Sequence, residues 1–580
     1  MPRVVGVTTN LNTSGTKKMS AKNNNRSVWS GKTPLACAVM LAGLGMQANA
    51  QADEDFFSDW EASGYVREHL SWNLENPYVM DTNDPNGLVG AKRKGNYRYG
   101  LSMARTTLKL NLFKNFGTSQ FNISGRVARE VETNYLKDLQ ESMDGNAASD
   151  LFSNRSKSSV NLMDDVYNTE EIRELWWQTE VTPTTTLKLG KQQVVWGETD
   201  FFQSMDVVHG YDMRIRSFLE PENEDVRKPL WMVNVMERFD SVDGTMQMLF
   251  IPGAMNRASD RGNSYDLDGG RWANNPNKGI TFESAPFGAD VPYNYDHKSA
   301  DMDDASYGLR WKGMQGEWEY SLGWFHGPSL NPVINSNPNN PLGVGDSVTG
   351  RTYVGPYKGQ YRSDPSSTVG ELIFPFVDVF GVTANRYVSS LDAVFSTEIS
   401  YIPDSTYNIG VKSGEEGGCS FFPGFCGIIE KDVLKSMVRL DKQLALQNYL
   451  GTSRPSFFSA QLFNTWITNY ERDDEVVNSA GFSGRTKEFS TIATAILATN
   501  YDNDRINPSL ALGTDLTYGG SFVVPSVEFA YGNNWRVRVE ADLFFNDERQ
   551  KRALTGFNNT NLFGYFDGND QLAIRTTYQF

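Results

Sequence analysis

Long apolar runs, cysteine and histidine are all scarce in this chain of 580 residues. Beyond residue 50 no apolar run reaches the roughly 18 residues that a membrane-spanning helix requires, so the mature chain contains no such helix. The four histidines show no metal-binding spacing, and no Gly-x-Ser-x-Gly nucleophile motif occurs. We therefore expect no enzyme activity, catalytic residue, cofactor or metal. A Ser and a His that meet only in the folded chain would leave a hydrolase open as an alternative.

The chain also has fewer basic than acidic residues. The chain has 54 Lys and Arg against 70 Asp and Glu, and its first 50 residues contain six of the basic residues and no acidic one. A mature chain that begins at residue 51 carries a formal charge of −22, from 48 basic and 70 acidic residues. Because proteins bind nucleic acid by neutralising phosphates with cations, this charge predicts no nucleic-acid partner.

The first 50 residues have the pattern of a secretory signal. Their basic residues precede a short apolar stretch, 34–46, which leads into Ala48-Asn49-Ala50. We expect cleavage after Ala50, so that residues 1–50 are an N-terminal extension and signal peptide and residues 51–580 are a single barrel domain. The long basic segment leaves Met19 open as the true start. A retained anchor is the alternative, but about 13 apolar residues are too few to span a bilayer.

Only two cysteines follow the signal. Cys419 and Cys426 bracket a short segment in a Gly-rich region. Nearby thiols of an exported protein usually pair, and a small closed loop restricts the unfolded chain, so we predict a disulfide between them. A metal-binding pair is the alternative, although zinc sites usually have four ligands and no histidine lies near.

The C-terminal residues alternate between apolar and polar side chains. Leu572, Ile574, Thr576, Tyr578 and Phe580 fall on one face of a strand, which is the period-two pattern of a transmembrane barrel. A terminal Phe with an aromatic residue two positions before it resembles the C-terminal signature that outer-membrane barrels present to their assembly machinery. We therefore expect outer-membrane lipid around the barrel, and recognition by the barrel assembly machinery through Phe580 and Tyr578.

The same alternation recurs in segments of about ten residues, the length that a tilted strand needs to cross the hydrocarbon. It predicts an all-β, antiparallel transmembrane barrel of the bacterial outer membrane with roughly 16–18 strands. Short turns are expected on the periplasmic side and long external loops on the other, notably 132–171, 197–229, 252–303, 327–376 and 403–433. The predicted strands are 62–73, 101–114, 119–131, 172–181, 186–196, 230–239, 245–251, 307–311, 318–324, 377–385, 391–402, 434–446, 456–469, 487–499, 516–531, 535–545 and 572–580.

Basic residues alternate with apolar neighbours on several predicted strands, which suggests a partly basic lumen and a site for anions. The alternative is that these charges pair with acids such as Glu130, Glu174, Asp441 and Glu540 and fill the interior. The lumen candidates are Arg105, Lys109, Arg126, Lys188, Arg310, Arg439, Arg536 and Arg538.

A second group of candidates lies in the segment after the predicted strand 186–196. The connection 197–229 is too long for a tight turn, and we expect it to fold into the barrel as a loop that narrows the pore. The alternative is that its polar groups only hydrogen-bond the loop to itself or to the lumen wall. The constriction candidates are Trp196, Glu198, Asp200, Asp206, Asp212 and Arg227.

The run from Gly190 to Glu198, Gly-Lys-Gln-Gln-Val-Val-Trp-Gly-Glu, adds a resemblance. With the signal and the C-terminal strand, it resembles the proteobacterial domain of unknown function 1302 family over the whole mature chain. The resemblance implies a β-barrel and, as partners, a lipoprotein-like protein and an envelope permease of the resistance-nodulation-division type. We therefore expect a channel or transport component for hydrophobic or amphipathic solutes or lipids. A receptor or structural barrel is the second hypothesis and an outer-membrane hydrolase the third.

Overall fold

Strands dominate the structure, which is a computed structural model, and neighbouring strands of its main sheet pair antiparallel. Within the described residues, nineteen strands form this sheet, and all of them except the two-residue β16 close it into a barrel of eighteen strands. The structure describes residues 59–77, 79, 94–146, 160–197, 199, 202–220, 222–265, 270–272, 304–336, 370–409, 427–477, 486–546 and 562–580.

The described residues form twenty-one strands, and all except β10, β11 and β16 follow one another around the barrel in chain order. They are β1 (Glu61–Asn73), β2 (Leu101–Asn115), β3 (Ser119–Glu130), β4 (Thr169–Glu180), β5 (Thr185–Gln192), β6 (Leu230–Phe239), β7 (Gly244–Ile251), β8 (Ser306–Gln315), β9 (Trp318–Pro328), β10 (Val333–Ser336), β11 (Gly370–Ile373), β12 (Phe376–Val388), β13 (Ala393–Ile409), β14 (Ile428–Leu444), β15 (Ser456–Ile467), β16 (Val476–Val477), β17 (Phe489–Ala498), β18 (Ile506–Asp515), β19 (Ser521–Tyr531), β20 (Trp535–Phe545) and β21 (Gln571–Gln579).

Pairing between β1 and β21 closes the barrel. Its register runs from Tyr65 opposite Gln579 to Asn73 opposite Gln571, while the other edge of β1 pairs with β2. Strands β10 and β11 form a separate ribbon in the connection between β9 and β12. Closure leaves the eighteen barrel strands without an exposed edge, which a strand must avoid in hydrocarbon.

Connections at one end of the barrel are short, such as 116–118, 181–184 and 532–534, and most of those at the other end are long. In barrels of this kind the short turns face the periplasm, and the two ends of the barrel domain lie on that side here.

Among the helices of the described residues, none has the length and apolarity needed to cross a bilayer. The connections contain α1 (Asn134–Asn146), α2 (Asn223–Val226), α3 (Ala258–Arg261), α4 (Gln447–Leu450), α5 (Leu562–Tyr565), a π-helix (Leu162–Tyr167) and 3-10 turns at Ser217–Leu219, Asp240–Val242, Gly253–Met255 and Arg472–Asp474.

The two faces of each strand differ in polarity. On β1, Arg67, His69 and Ser71 are buried on the lumen side, whereas Val66 is 42% exposed on the outside. The outer surface continues with exposed apolar side chains at equivalent positions around the barrel. These include Ile172, Leu309, Leu322, Phe380, Val382, Ile399, Val438, Leu462 and Leu512.

Exposed aromatic side chains add a girdle near the short turns. Tyr531 is exposed there, and the rings of Trp535 and Tyr578 lie 5.0 Å apart. An apolar belt edged by aromatic residues matches the hydrocarbon and its interface. The protein is therefore a transmembrane β-barrel of the bacterial outer membrane, as the alternation predicts.

Two predicted strands need correction. The predicted strand 516–531 begins too early, because residues 516–520 form the turn between β18 and β19. Sequence patterning misses β18, in which Pro508, Gly513 and several small residues weaken the alternation. The predicted strand 186–196 is also too long, since β5 ends at Gln192 and Trp196 lies in the connection that follows.

Candidate functional site

The connection between β5 and β6, residues 193–229, enters the lumen, and we call it the inward loop. Its middle is bound to its C-terminal end, since the Asp212 amide donates to the Val226 carbonyl oxygen and the Lys228 amide to that of Gly210, each at 2.8 Å. His209 fixes the start of the loop. Its Nε2 accepts a hydrogen bond from the Val194 amide at 2.9 Å, and its Nδ1 lies 2.8 Å from the Lys228 carbonyl oxygen.

Burial shapes the ionisation of this part of the loop. Burial of the ring lowers the pKa of His209 to about 4, although Asp206 and the contact with the Lys228 carbonyl oxygen act in the opposite direction. Burial also lowers the pKa of Lys228 to about 8. The pKa of Asp212 is raised by burial but lowered more strongly by the guanidinium of Arg214, so it lies well below its usual value. The loop therefore contains a neutral histidine and charges that are satisfied locally.

A buried polar cluster lies at the centre of the loop. Nη2 of Arg227 donates to the Asp206 carboxylate at 2.6 Å and to the Tyr211 hydroxyl oxygen at 3.0 Å. The Tyr211 hydroxyl in turn donates to Asp206. Burial and the adjacent carboxylate raise the pKa of Tyr211, so its hydroxyl keeps its proton. These contacts are internal to the loop and give it a fixed shape.

One flank of the loop packs against a part of the wall that carries little side-chain bulk. Trp196 and Met205 are each 1% exposed and lie over the lumen side of glycines on β8, β9 and β12. A Cβ at Gly308 would lie 3.0 Å from the Trp196 ring, and a Cβ at Gly381 would overlap the Met205 sulfur. The glycines therefore provide the space that this flank occupies.

Polar contacts fix the same flank to the wall. The Trp196 indole donates to the side-chain oxygen of Gln247 at 3.0 Å, and the Met205 amide donates to Glu398 at 2.9 Å. Ser400 donates from its hydroxyl to the Ser204 carbonyl oxygen at 3.0 Å.

The other flank, residues 220 and 222–225, is acidic and binds basic side chains on the opposite wall. Asp225 lies 2.9 Å from Nη1 of Arg67, and Glu224 lies 2.7 Å from Nζ of Lys109. Arg126 donates to the Asp225 carbonyl oxygen at 2.7 Å. Burial alone would raise the pKa of Asp225, but Arg67, Lys109 and Arg126 outweigh it and hold that pKa below its usual value. Asp225 is thus ionised, and charge docks the acidic flank on this wall.

Further ion pairs extend this contact to the strands that close the barrel. Glu220 lies 2.9 Å from Arg575 on β21, and Arg216 lies 3.1 Å from Asp542 on β20. Arg173 on β4 donates to the Arg227 carbonyl oxygen at 2.8 Å. The inward loop therefore reaches both sides of the lumen.

The structure also shows what the remaining lumen candidates contact. Arg105 binds the Tyr167 carbonyl oxygen and lies 3.9 Å from Glu130. Arg439 pairs with Asp441 on its own strand at 2.8 Å. Arg538 pairs with Glu540 at 2.7 Å, and Arg536 donates to main-chain oxygens near the short turn. Lys188 lies 3.9 Å from the centroid of the Trp176 ring, and Arg310 donates to the Val195 carbonyl oxygen at 3.1 Å.

Glu198, Asp200, Cys419 and Cys426 lie outside the described residues. Within the described part of the chain, no group of three or more potential ligands is arranged to bind a metal.

A cavity of about 340 Å³ lies between the inward loop and the wall of β12–β18, and we call it the lumen cavity. From the loop it is lined by Phe202, Val207 and Phe218, and the rings of Phe202 and Phe218 lie 5.8 Å apart. Trp196, Asp206, Asp212 and Arg227 are not among its lining residues. From the strands it is lined by apolar and polar side chains, including Val377, Val379, Ile402, Lys435, Thr465, Ser490, Ile492 and Asp515.

Sequence reasoning misses most of the residues that line the lumen cavity. Lys435 lies one residue after Leu434 on β14, in the same alternation that identified Arg439. Thr465 and Ser490 read as ordinary polar residues of barrel strands. Only the register of β14, β15 and β17 brings the three together.

Comparison with solved structures finds bacterial outer-membrane proteins. OpdK of Pseudomonas aeruginosa, solved with vanillate, is 10% identical, with a TM-score of 0.39 over 90% of this chain and 99% of that one. OccAB2 of Acinetobacter baumannii is 9% identical, with a TM-score of 0.41 over 90% and 98%. The outer-membrane channel DcaP of the same species is 10% identical, with a TM-score of 0.35 over 90% and 97%. No curated protein matches the chain.

A family model matches almost the entire sequence. The match covers residues 33–580, which include the run from Gly190 to Glu198, the inward loop and the C-terminal strand. The chain belongs to the family described as "Protein of unknown function (DUF1302)".

Proposed function

We propose that this barrel is a channel for hydrophobic or amphipathic solutes, which pass the inward loop through the lumen cavity. The observation that carries the proposal is the mixed wall of that cavity. Phe202, Phe218 and Ile492 offer apolar contact, while Lys435 and Thr465 offer polar contact at the same site. Ligand sites usually combine a mainly apolar lining with a few polar groups in this way.

The position of the loop supports the same route. Its ion pairs are with β1, β2, β20 and β21, and its packing contacts include β8, β9, β12, β15 and β19. The lumen cavity lies beside these contacts, along the inward side of β12, β13, β14, β15 and β17, and none of the ion-paired residues lines it. A solute that follows the lumen cavity passes the loop without breaking its ion pairs.

Partners belong to the proposal too. We propose that the barrel assembly machinery recognises Tyr578 and Phe580, which are both exposed at the short-turn end. Transfer of solute between the barrel and an envelope permease, with a lipoprotein-like protein, is proposed on the family resemblance alone.

The test is solute uptake into liposomes that contain the purified mature protein. Phenyl glucoside serves as an uncharged amphipathic solute and glucose as its hydrophilic counterpart. Ile492→Trp fills the lumen cavity, and Ala495→Trp places the same side chain on the outer face of the same strand. We expect phenyl glucoside to enter faster than glucose. We also expect Ile492→Trp to slow its uptake about tenfold, the order of effect of closing a binding site, and Ala495→Trp to leave it unchanged.

Heat-modifiable migration in gels shows that each variant has assembled. If phenyl glucoside enters no faster than into protein-free liposomes, the channel is wrong and a receptor or structural barrel is favoured. If Ile492→Trp takes up solute like the parent protein, the route does not follow the lumen cavity.

A further inference from the structure

We infer that the lumen cavity binds the charged end of an amphipathic anion at Lys435, with an aromatic or alkyl carboxylate as the class of ligand. The inference rests on the proposed channel and specifies which solutes it selects. It depends on one cation, two hydroxyl groups beside it, and the apolar surface around them.

Lys435 differs from the other basic residues of the lumen. It faces inward on β14, because its register partners are the buried Ser400 on β13 and the cavity-lining Thr465 on β15. Within the described residues it forms no hydrogen bond or ion pair, and no charged neighbour influences it. On the same strand, Lys431 pairs with Asp474. An unpaired ammonium group in a half-buried, mainly apolar cavity attracts an anion more strongly than it would in water.

Hydroxyl groups lie next to this ammonium group. Lys435 pairs in register with Thr465, and Thr465 with Ser490, so the three form one row across β14, β15 and β17. Neighbouring strands are about 4.8 Å apart, a spacing that lets adjacent side chains bind one small group together. The hydroxyls of Thr406 and Thr486, which also line the cavity, are buried without a hydrogen-bond partner among the described residues. A carboxylate accepts several hydrogen bonds, so it suits this row.

The rest of the cavity suits an apolar body. Phe202 and Phe218 of the inward loop face Ile402 and Ile492 of the wall. The acidic residue of the cavity, Asp515, is on β18, three strands from Lys435, which separates the two residues by about 14 Å across the strands, and it lies opposite Ile492 rather than Ser490. Asp515 accepts hydrogen bonds from the amides of Thr517 and Tyr518 at 2.8 Å. The carboxylate of a bound solute is therefore placed at the Lys435 side and its apolar part against the aromatic rings.

The experiment compares two probes that differ only at one end, 4-ethylbenzoate and 4-ethylbenzyl alcohol, at pH 8. Binding to the full mature barrel in lipid nanodiscs is measured by calorimetry, with empty nanodiscs as the blank. We expect the carboxylate to bind about tenfold more tightly than the alcohol, the order of effect of one charge-assisted hydrogen bond. Lys435→Met should remove this difference, and Lys435→Glu should make the alcohol the better ligand. Lys442→Met, on the same strand but outside the cavity, should bind both probes as the parent protein does.

Equal affinity for the two probes in the parent protein, or unchanged selectivity in Lys435→Met, would overturn the inference. Uptake of phenyl glucoside separates this failure from failure of the channel itself. If phenyl glucoside still enters the liposomes and Ile492→Trp slows it, the channel stands and only the anion site is wrong. If phenyl glucoside does not enter, the proposed function is wrong and the inference with it.

Discussion

The guanidinium of Arg227 donates to the carboxylate of Asp206 across 21 positions of the chain, with an N···O distance of 2.6 Å. Both side chains are buried, with 6% and 4% of their surfaces exposed. In the sequence, the charges of this segment predict a pore constriction. In the structure, the two side chains join the two halves of the inward loop. The pair therefore fixes the shape of the loop, and neither residue lines the lumen cavity.

Breaking this pair should loosen the inward loop. Asp206→Asn leaves Arg227 buried without a counter-charge, and loss of one partner of a buried pair typically costs about 3–5 kcal/mol. We expect faster hydrogen–deuterium exchange of residues 193–229 in this variant. The double variant Asp206→Asn with Arg227→Met should regain part of the protection. Exchange in Asp206→Asn as slow as in the parent protein would contradict the role of the pair.

The acidic flank should respond to loss of a single charge. Asp225→Asn removes the ion pair with Arg67, and both side chains are largely buried, so we expect about 1.5–3 kcal/mol weaker docking of the loop. Planar-bilayer recordings should then show larger current fluctuations. Glu170→Gln is the control, because its pair with Arg129 is exposed and such pairs contribute about 1 kcal/mol or less. Current fluctuations in Asp225→Asn no larger than those in the parent protein would show that charge does not dock this flank.

Glycine at position 381 should matter because of Met205. A Cβ there would overlap the Met205 sulfur and lie 3.3 Å from the Ile399 carbonyl oxygen, and overpacking of this kind typically costs about 1–3 kcal/mol. We expect Gly381→Ala to lower the midpoint of thermal unfolding and Met205→Ala to restore it in the double variant. Gly125→Ala, whose Cβ would have no neighbour closer than 4.0 Å, is the matched control. A double variant no more stable than Gly381→Ala would rule out Met205 as the cause.

The protonation of His209 should make docking of the loop depend on pH. The pKa of His209 is about 4 in the folded loop and close to 6.5 in an undocked one, so the released form binds the extra proton. The stability contributed by the neutral ring is present above pH 6.5 and is lost as pH falls towards 4. We expect the protection of residues 193–210 against exchange, corrected for intrinsic rates, to decrease between pH 7 and pH 5. His209→Gln should lose this dependence, and a parent protein with constant protection would contradict the assignment.

The barrel could be predicted from sequence because each strand repeats a local rule. Alternation at Leu572, Ile574 and Tyr578 identifies β21 without knowledge of its neighbours, since one face must be apolar wherever a strand meets lipid. The same rule misses β18, where Pro508 and Gly513 supply no large apolar side chain. The structure identifies β18 by its pairing with β17, in which Leu510 lies opposite Leu497.

The candidate site was less accessible from sequence because it depends on pairs of distant residues. The sequence marks Lys109 and Arg126 as basic lumen residues, but Lys109 pairs with Glu224 in the acidic flank, 115 positions away, and Arg126 donates to the Asp225 carbonyl oxygen, 99 positions away. Lys435 has the same sequence pattern as the other lumen cations. It differs from them only because it has no partner among the described residues. Which basic lumen residues have a partner therefore depends on how the inward loop folds, and the pattern of a single strand does not show it.

The central claim is that the inward loop stays docked while solute passes beside it. The Ser400 hydroxyl on β13 lies 3.0 Å from the Ser204 carbonyl oxygen of the loop. A disulfide should therefore link the loop to β13 in a variant with Ser204→Cys and Ser400→Cys. Cys419 and Cys426 are changed to Ser in this variant. The decisive measurement is uptake of phenyl glucoside by this variant, oxidised and then reduced. We expect equal uptake in the two states. Uptake that stops on oxidation and returns on reduction would show that the loop must move, and would contradict the account.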